Sequence, residues 1–431
     1  MIAQHTEHKN AIYMDFSIDP VSDVALSLCR VVIDEVVKNE RRTRARRAKD
    51  LANFEMATSS IVGDLLMAAI RKDGGWAYRS VSKKTFGDST VKGDTFNHIM
   101  KTLEALSLVE RVKGGNVKNH FDVSGNTGFH PGMATRFRAT SKLLDLCANN
   151  GLELGVVKKH FKRKPSLREL RLKSSSYRLR GKKVKGSVMR IDDNDVTKPI
   201  RQRLFEINSF LVEQKYTGIE FYGLYRLFNE GDDPAFNWNL GGRLYGVGEG
   251  SYQQLKKVER AKIKINDEPV VELDINASYL RILHGIRGFP LPKSKDIYVI
   301  KGINRALVKA WVSSTLGYTG FHRSWSPKIM PDLKEAGILT GSETTYPSLQ
   351  PKVLAHLPVL SDWPECGIRW SHLMYEESEA MIAAMELLRA QDIAALPVHD
   401  SLIVPQSKKL IVQDVLESTF QSRFGVQFVV K

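Results

Sequence analysis

The chain has 431 residues and a formal net charge of +16, with 64 Lys and Arg against 48 Asp and Glu. At roughly 100–200 residues per domain this length predicts two or three domains, and so large a cationic excess suits a polyanionic partner, nucleic acid first. Three widely spaced cysteines, Cys29, Cys147 and Cys366, argue against a disulfide framework or a zinc knuckle, and no apolar run long enough for a membrane span or a signal peptide is present, so a cytoplasmic protein is expected.

In chain order, residues 1–55 predict a basic helical segment whose Lys38, Arg41, Arg42, Arg44, Arg46, Arg47 and Lys49 face solvent. Residues 56–150 have the sequence pattern of a winged helix: a helix at 59–71, a turn at 73–75 and a second helix at 94–107. That second helix carries Phe96, Ile99, Met100, Leu103 and Leu106 along one face. A wing strand at 108–115 and its return at 136–140 follow. Such modules place the exposed side of the second helix in a DNA groove, although they also serve as protein adaptors. Residues 151–195 form a basic linker or strap, with Lys162, Arg163, Lys164, Lys182 and Lys183 as candidate phosphate contacts; the competing reading is a disordered tether.

From 196 to 431 the pattern becomes mixed α/β. A helix is predicted over 371–389, with Met374, Ser378, Met381, Ile382, Met385 and Leu388 on its core face. A strand at 394–398, a tip at His399-Asp400 and a strand at 401–404 stopped by Pro405 read as a hairpin presenting Asp400. Asp274 likewise ends an apolar, β-rich run, Val270-Val271-Glu272-Leu273. Two carboxylates from neighbouring strands suit a pair of Mg²⁺ ions, with Mn²⁺ as substitute, for phosphoryl transfer.

At these residues the chain resembles the family A nucleic-acid polymerases, DNA polymerase I and more distantly the single-subunit RNA polymerases. The family's DYSQIELR motif matches Asp274 to Arg281 at its Asp, Leu and Arg, and its VHDE or VHDS motif matches Val398 to Ser401. Arg305 and Lys309 echo the middle motif, and Gly242-Arg243-Leu244 is similar to the TGRLSS element that touches primer and template. The likeness covers about residues 235–431 and implies that a helix at 410–424 and a short strand at 426–430 fill the places of the family's closing helix and strand. It implies an α+β fold: a polymerase palm with an antiparallel sheet and compact helical fingers, preceded by the mostly α winged-helix-like domain. It implies further that Asp274 and Asp400 ligate both metals, that the Ile275 carbonyl adds an oxygen, and that Arg243 and Arg281 lie against nucleic acid.

Arg305 and Lys309 are four residues apart, so on a helix both heads share a face and can clamp a triphosphate. Tyr318 stands nine residues after Lys309 where the family has its aromatic at eight. A straight helix would place it opposite Lys309, so it stacks on a base only if Gly317 or a bulge absorbs the extra residue. Tyr279 occupies the position where DNA polymerase I-like enzymes carry a Glu that blocks the ribose 2′-OH, and a ring there favours dNTPs on steric grounds. The expected function is a template-directed DNA polymerase that uses primer, template and nucleoside triphosphates without proofreading, in replication of a mobile element, plasmid or phage. Two alternatives stay open: a primase-like or RNA-synthesising enzyme, in keeping with His399-Asp400-Ser401, and a non-catalytic replication initiator.

Overall fold

The computed structural model describes residues 11–431 except 41, 43, 72–73, 87–88, 115–119, 122–126, 129–133, 164–169, 180–181, 248–250, 295, 319, 340 and 364. The protein is mixed α+β, 47% helix and 16% strand, and among the described residues no sheet is closed. It divides into two compact units: Met1–Glu169 with Phe221–Leu224 and Gly246–Ser251, and Leu170–Glu220 with Tyr225–Tyr245 and Tyr252–Lys431. Among the described residues no helix is long and apolar enough to cross a membrane.

In the first unit, strands β1 (Ile12–Tyr13) and β2 (Ile18–Pro20) precede helix α1 (Asp23–Lys38). The Ser22 side chain caps α1 by accepting from the Ala25 amide, and Leu28, Cys29, Val32 and Val36 bury one stripe of it. Helix α2 (Ala48–Ala69) begins eleven residues before the expected 59. The basic stretch is therefore broken between two helices, and there Arg46 pairs with Glu40 and lies 3.6 Å over the Phe54 ring. Strand β3 (Trp76–Arg79), helix α3 (Gly93–Ala105), strands β4 (Val109–Val112) and β5 (Thr135–Ala139), helix α4 (Ser141–Asn149) and strand β6 (Phe161–Arg163) follow. The sheet order is β1-β3-β5-β4, with β5 antiparallel to both neighbours and β1 parallel to β3.

Strand β3 was not expected. All four of its residues are buried, so they show no period-two alternation. The helix α2 backbone passes so close to β2 that a Cβ on Gly63 would sit 2.6 Å from Ile18 Cγ2. At the next residue, buried Asp64 accepts the Phe16 amide at 3.1 Å and so holds Phe16 in the left-handed region, φ 60°.

The second unit starts with β7 (Leu170–Lys173), the hairpin β8 (Tyr177–Leu179) and β9 (Lys182–Val184), and β10 (Val188–Met189). The segment 151–195 is thus no tether where it is described. Its residues 161–163 pair with β2 in the first unit, and β7 to β10 belong to the second. Helix α5 (Thr197–Val212) and strands β11 (Tyr216–Thr217), β12 (Leu224–Phe228) and β13 (Gly241–Gly246) lead to β14 (Lys264–Ile265) and β15 (Glu268–Asp274). Next come helices α6 (Ser278–Arg287), α7 (Arg305–Leu316), α8 (Tyr346–His356) and α9 (Trp370–Arg389), strands β16 (Leu396–Val398) and β17 (Ser401–Pro405), and helix α10 (Lys409–Phe424).

Two sheets organise this unit, β10-β7-β12-β13 and the antiparallel five-stranded β11-β14-β15-β17-β16. In the second, Asp274 stands opposite Ser401 and Val398 opposite Ser401 on the other side. The strand expected over 426–430 shrinks to one bridge, Val430 with Ile275.

Candidate active site

Strand β15 and the β16–β17 turn bring Asp274 and Asp400 together through their backbones. The Ile275 amide donates to the Asp400 carbonyl at 3.0 Å, and His399 takes the left-handed φ of 58° that lets the chain reverse in two residues. On the other side of β15, the Asp274 amide donates to Lys431 O at 3.0 Å, the Lys431 amide returns to Asp274 O at 2.9 Å, and the Asn276 amide donates to Val429 O at 2.9 Å. The strand end is thus clamped from both sides before its side chains make any contact.

Both carboxylates open into one cavity of about 420 Å³, whose wall includes Arg243, Ile275, Tyr279, Lys309 and Glu377. Loss of solvation, with the like charge of Asp400 added, pushes the Asp274 carboxyl up to about 6, against the opposing pull of Lys257 and Lys309. Among the described residues neither acid is in an ion pair, and no group of three or more His, Cys, Asp or Glu is placed to hold a metal. The donor set is two carboxylates, which suits Mg²⁺: that ion commonly keeps waters and takes one or two protein carboxylates plus substrate phosphates.

Arg243 is delivered by an unusual stretch of backbone. Gly241 and Gly242 have φ of 81° and 73°, and a Cβ on Gly242 would lie 2.8 Å from Arg226 Nη2, so only glycine fits. Buried Arg226 donates from Nε to the Gly242 carbonyl at 2.7 Å, and Ser378 Oγ donates to the same oxygen. Arg226 is itself held by Glu379 at 2.6 Å. The Arg243 head then reaches Glu377, 2.6 Å from Nη2 and 3.1 Å from Nε to one carboxylate oxygen, while its Cζ lies 5.4 Å from the Tyr279 ring centre. Burial pulls the Arg243 guanidinium down, but Glu377 more than offsets this and holds it above its ordinary value. Burial drives the Glu377 carboxyl up, opposed by Arg243. The Tyr279 phenol is raised by burial and by Glu377; its hydroxyl is buried and has no hydrogen-bond partner among the described residues.

Lys309 reaches the cavity because α7 is anchored by Trp311, whose Nε1 donates to Tyr346 O at 3.0 Å and whose ring stacks on Tyr346 at 5.1 Å. The sequence-predicted residues therefore fall into two groups. Asp274, Ile275, Asp400, Arg243, Tyr279 and Lys309 share the cavity wall. Arg305 does not line it; its Nε is 2.6 Å from Asp296 Oδ2. Arg281, expected at nucleic acid, is 4% exposed and turned inward, donating to Asn276 O at 3.0 Å and Gln427 O at 2.6 Å. Tyr318 lies beyond the end of α7, 46% exposed, and stacks on His322 at 4.2 Å instead of entering the cavity.

Of the basic segment, Lys162 is exposed on β6. Arg163 is committed to Asp15 at 2.6 Å and lies over the Tyr222 ring at 4.3 Å. Lys164 lies outside the described residues; Lys182 and Lys183 stand on β9, their side chains outside the description.

Glu377 was missed. Its signal was available: an acid at 377 inside the apolar stripe of 374, 378 and 381, where a charge has no solvent to meet. No protein-family model matches the chain, and no curated protein is significantly similar to it.

Proposed function

We propose that the chain is a template-directed nucleotidyltransferase, a DNA polymerase that extends a 3′-OH with dNTPs. The observation that carries this reading is the pairing of Asp274 and Asp400, from adjacent strand ends, in one cavity with Lys309 and Arg243. Asp274, Asp400 and the Ile275 carbonyl would hold Mg²⁺ or Mn²⁺, which when bound neutralises phosphate charge and activates the 3′-oxygen. Lys309, exposed on α7 and free of the ion pair that occupies Arg305, would meet the triphosphate as a point charge. Asp274 would have to be ionised for the site to load. Tyr279, beside Arg243, would stand where the sugar of the incoming nucleotide lies and exclude a 2′-OH by overlap.

The first unit supports a DNA-holding role through its order of elements: helix, strand, a short 3-10 helix at Lys83–Phe86, helix and two strands with the first strand beside the last, an order similar to that of winged helices. The five-stranded antiparallel sheet supports the palm reading of the second unit. One observation favours the RNA-synthesising alternative: the unpartnered Tyr279 hydroxyl could bond a ribose 2′-OH.

The test is extension of a labelled primer, and of an unprimed template, with dNTPs or rNTPs and Mg²⁺, by the wild type and by Asp274→Asn and Asp400→Asn. Metal-ion stabilisation is large enough that either substitution should cost roughly a thousandfold or more in rate with the fold retained. Activity within about tenfold of wild type in both variants would overturn the assignment.

A further inference from the structure

The geometry points to Glu377 as a positioning residue for sugar selection: it holds the Arg243 guanidinium beside the Tyr279 ring and so sets where that ring stands. This inference rests on the polymerase reading above and adds a residue that need not touch the nucleotide.

Glu377 is 1% exposed, and one of its oxygens takes two N–H groups of Arg243. A carboxylate buried against a single guanidinium is a poor stabilising device, because desolvation of both ions offsets most of their attraction. What such a pair does supply is direction. Without Glu377, the acid left to draw Arg243 is Asp400, whose charge already acts on it. With Glu377 in place its Cζ is kept 5.4 Å from the Tyr279 ring centre, within cation–π range.

The same helix fixes the base of the arginine. Ser378 holds the Gly242 carbonyl, and Glu379 holds Arg226, which holds that carbonyl as well. Three successive residues of α9 therefore secure Arg243 at its head and at the peptide before it. Tyr279 has no such anchor of its own. Its hydroxyl has no hydrogen-bond partner among the described residues, so the ring is placed by packing and by the guanidinium. A ring held this way can select a sugar only as sharply as the arginine is held.

The experiment compares kcat/KM for one dNTP and its matching rNTP in the wild type, Glu377→Gln, Glu377→Leu, Tyr279→Ala and the double variant Tyr279→Ala with Glu377→Leu. Packing discrimination of this kind spans roughly 10–200-fold, so Glu377→Leu is expected to shift the dNTP/rNTP ratio by about tenfold in the direction of Tyr279→Ala. Glu377→Gln, which keeps volume and an acceptor oxygen but not the charge, should shift it by about threefold. The double variant should match Tyr279→Ala alone, because the two residues act through one ring. A purely structural Glu377 would lower both substrates equally and leave the ratio unmoved. A ratio within about twofold of wild type in Glu377→Leu overturns the inference while leaving the polymerase reading standing. If Glu377→Leu does not fold by circular dichroism, an unchanged ratio in Glu377→Gln overturns it equally. A wild type that extends no primer with either sugar fails the polymerase reading itself, and this inference falls with it.

Discussion

The Asp274 carboxyl offers a direct measurement of how the candidate site is built, through competition between a proton and a divalent cation. Its midpoint of about 6, against an ordinary 3.8, arises from desolvation first and the Asp400 charge second. One pH unit either side of that midpoint leaves the group about 90% ionised at pH 7 and about 10% at pH 5. A cation that needs the ionised form should therefore bind about tenfold more weakly at pH 5 than at pH 7, whereas a carboxyl at 3.8 would change its affinity by less than about 10%. Mn²⁺ binding to the full-length protein, read from the electron paramagnetic resonance of free Mn²⁺ between pH 5 and 8, measures this. Asp400→Asn removes a charge that raises the group, so weaker overall binding should come with a pH profile displaced to lower pH. Lys309→Ala removes a charge that lowers it, and should displace the profile upward. For the metal-free protein the sign reverses: because the folded state holds this proton more tightly than the unfolded chain, Asp274's contribution favours folding at acid pH and is lost as pH rises through 6. Affinities at pH 5 and pH 7 that agree within about twofold would refute the reasoning.

Lys309→Ala should raise nucleotide KM by about tenfold, the worth of one charge-assisted contact, and leave primer–template affinity unchanged; steady-state kinetics and a DNA-binding titration separate the two, and the reverse pattern would show α7 to be misassigned. Arg226→Met should destabilise the second unit by about 3 kcal/mol, the lower end for a broken buried ion pair, because Glu379 retains Arg203 at 3.0 Å; a urea midpoint unchanged from wild type contradicts this. With a net charge of +16, DNA affinity should fall steeply with salt, each neutralised phosphate adding about 0.9 to the log–log slope; a slope near zero would rule out a phosphate-tracking role.

What was legible in the sequence was whatever depended on neighbours along the chain. Asp274 and Asp400 could be read because each ends an apolar run, and α9 because its core face repeats at helical spacing, whereas α10 was expected from the family likeness alone; each begins one residue before its expected start. Strand β3 was illegible because burial on both faces erases alternation. The fates of the arginines were illegible for a different reason. Arg163, Arg281, Arg305 and Arg243 look alike as cations, and what separates them is a partner 148 residues away for the first, a main-chain oxygen 146 away for the second, Asp296 for the third, and Glu377, 134 away, for the fourth. Spacing rules see one helical turn; a guanidinium's partner is chosen by the fold. The helix limit mattered in the same way at Tyr318, since α7 ends at Leu316 and the question of a straight helix never arises.

The main-chain clamp around Asp274 bears on how the candidate site moves. Three consecutive amides, of Asp274, Ile275 and Asn276, each donate to a carbonyl more than a hundred residues away in sequence. Exchanging them with solvent deuterium requires β15 to part from the 399–400 turn and from residues 429–431, an opening close to full unfolding of that unit, so these amides should be among its slowest to exchange. Lys309, by contrast, is carried on α7, whose side-chain ties, Trp311 Nε1 to the Tyr346 carbonyl and Thr315 Oγ1 to the Tyr346 hydroxyl, run to α8 and not to that ladder. The acids therefore sit on the stationary part of the machine, and the cation that would greet a nucleotide sits on a part that can travel.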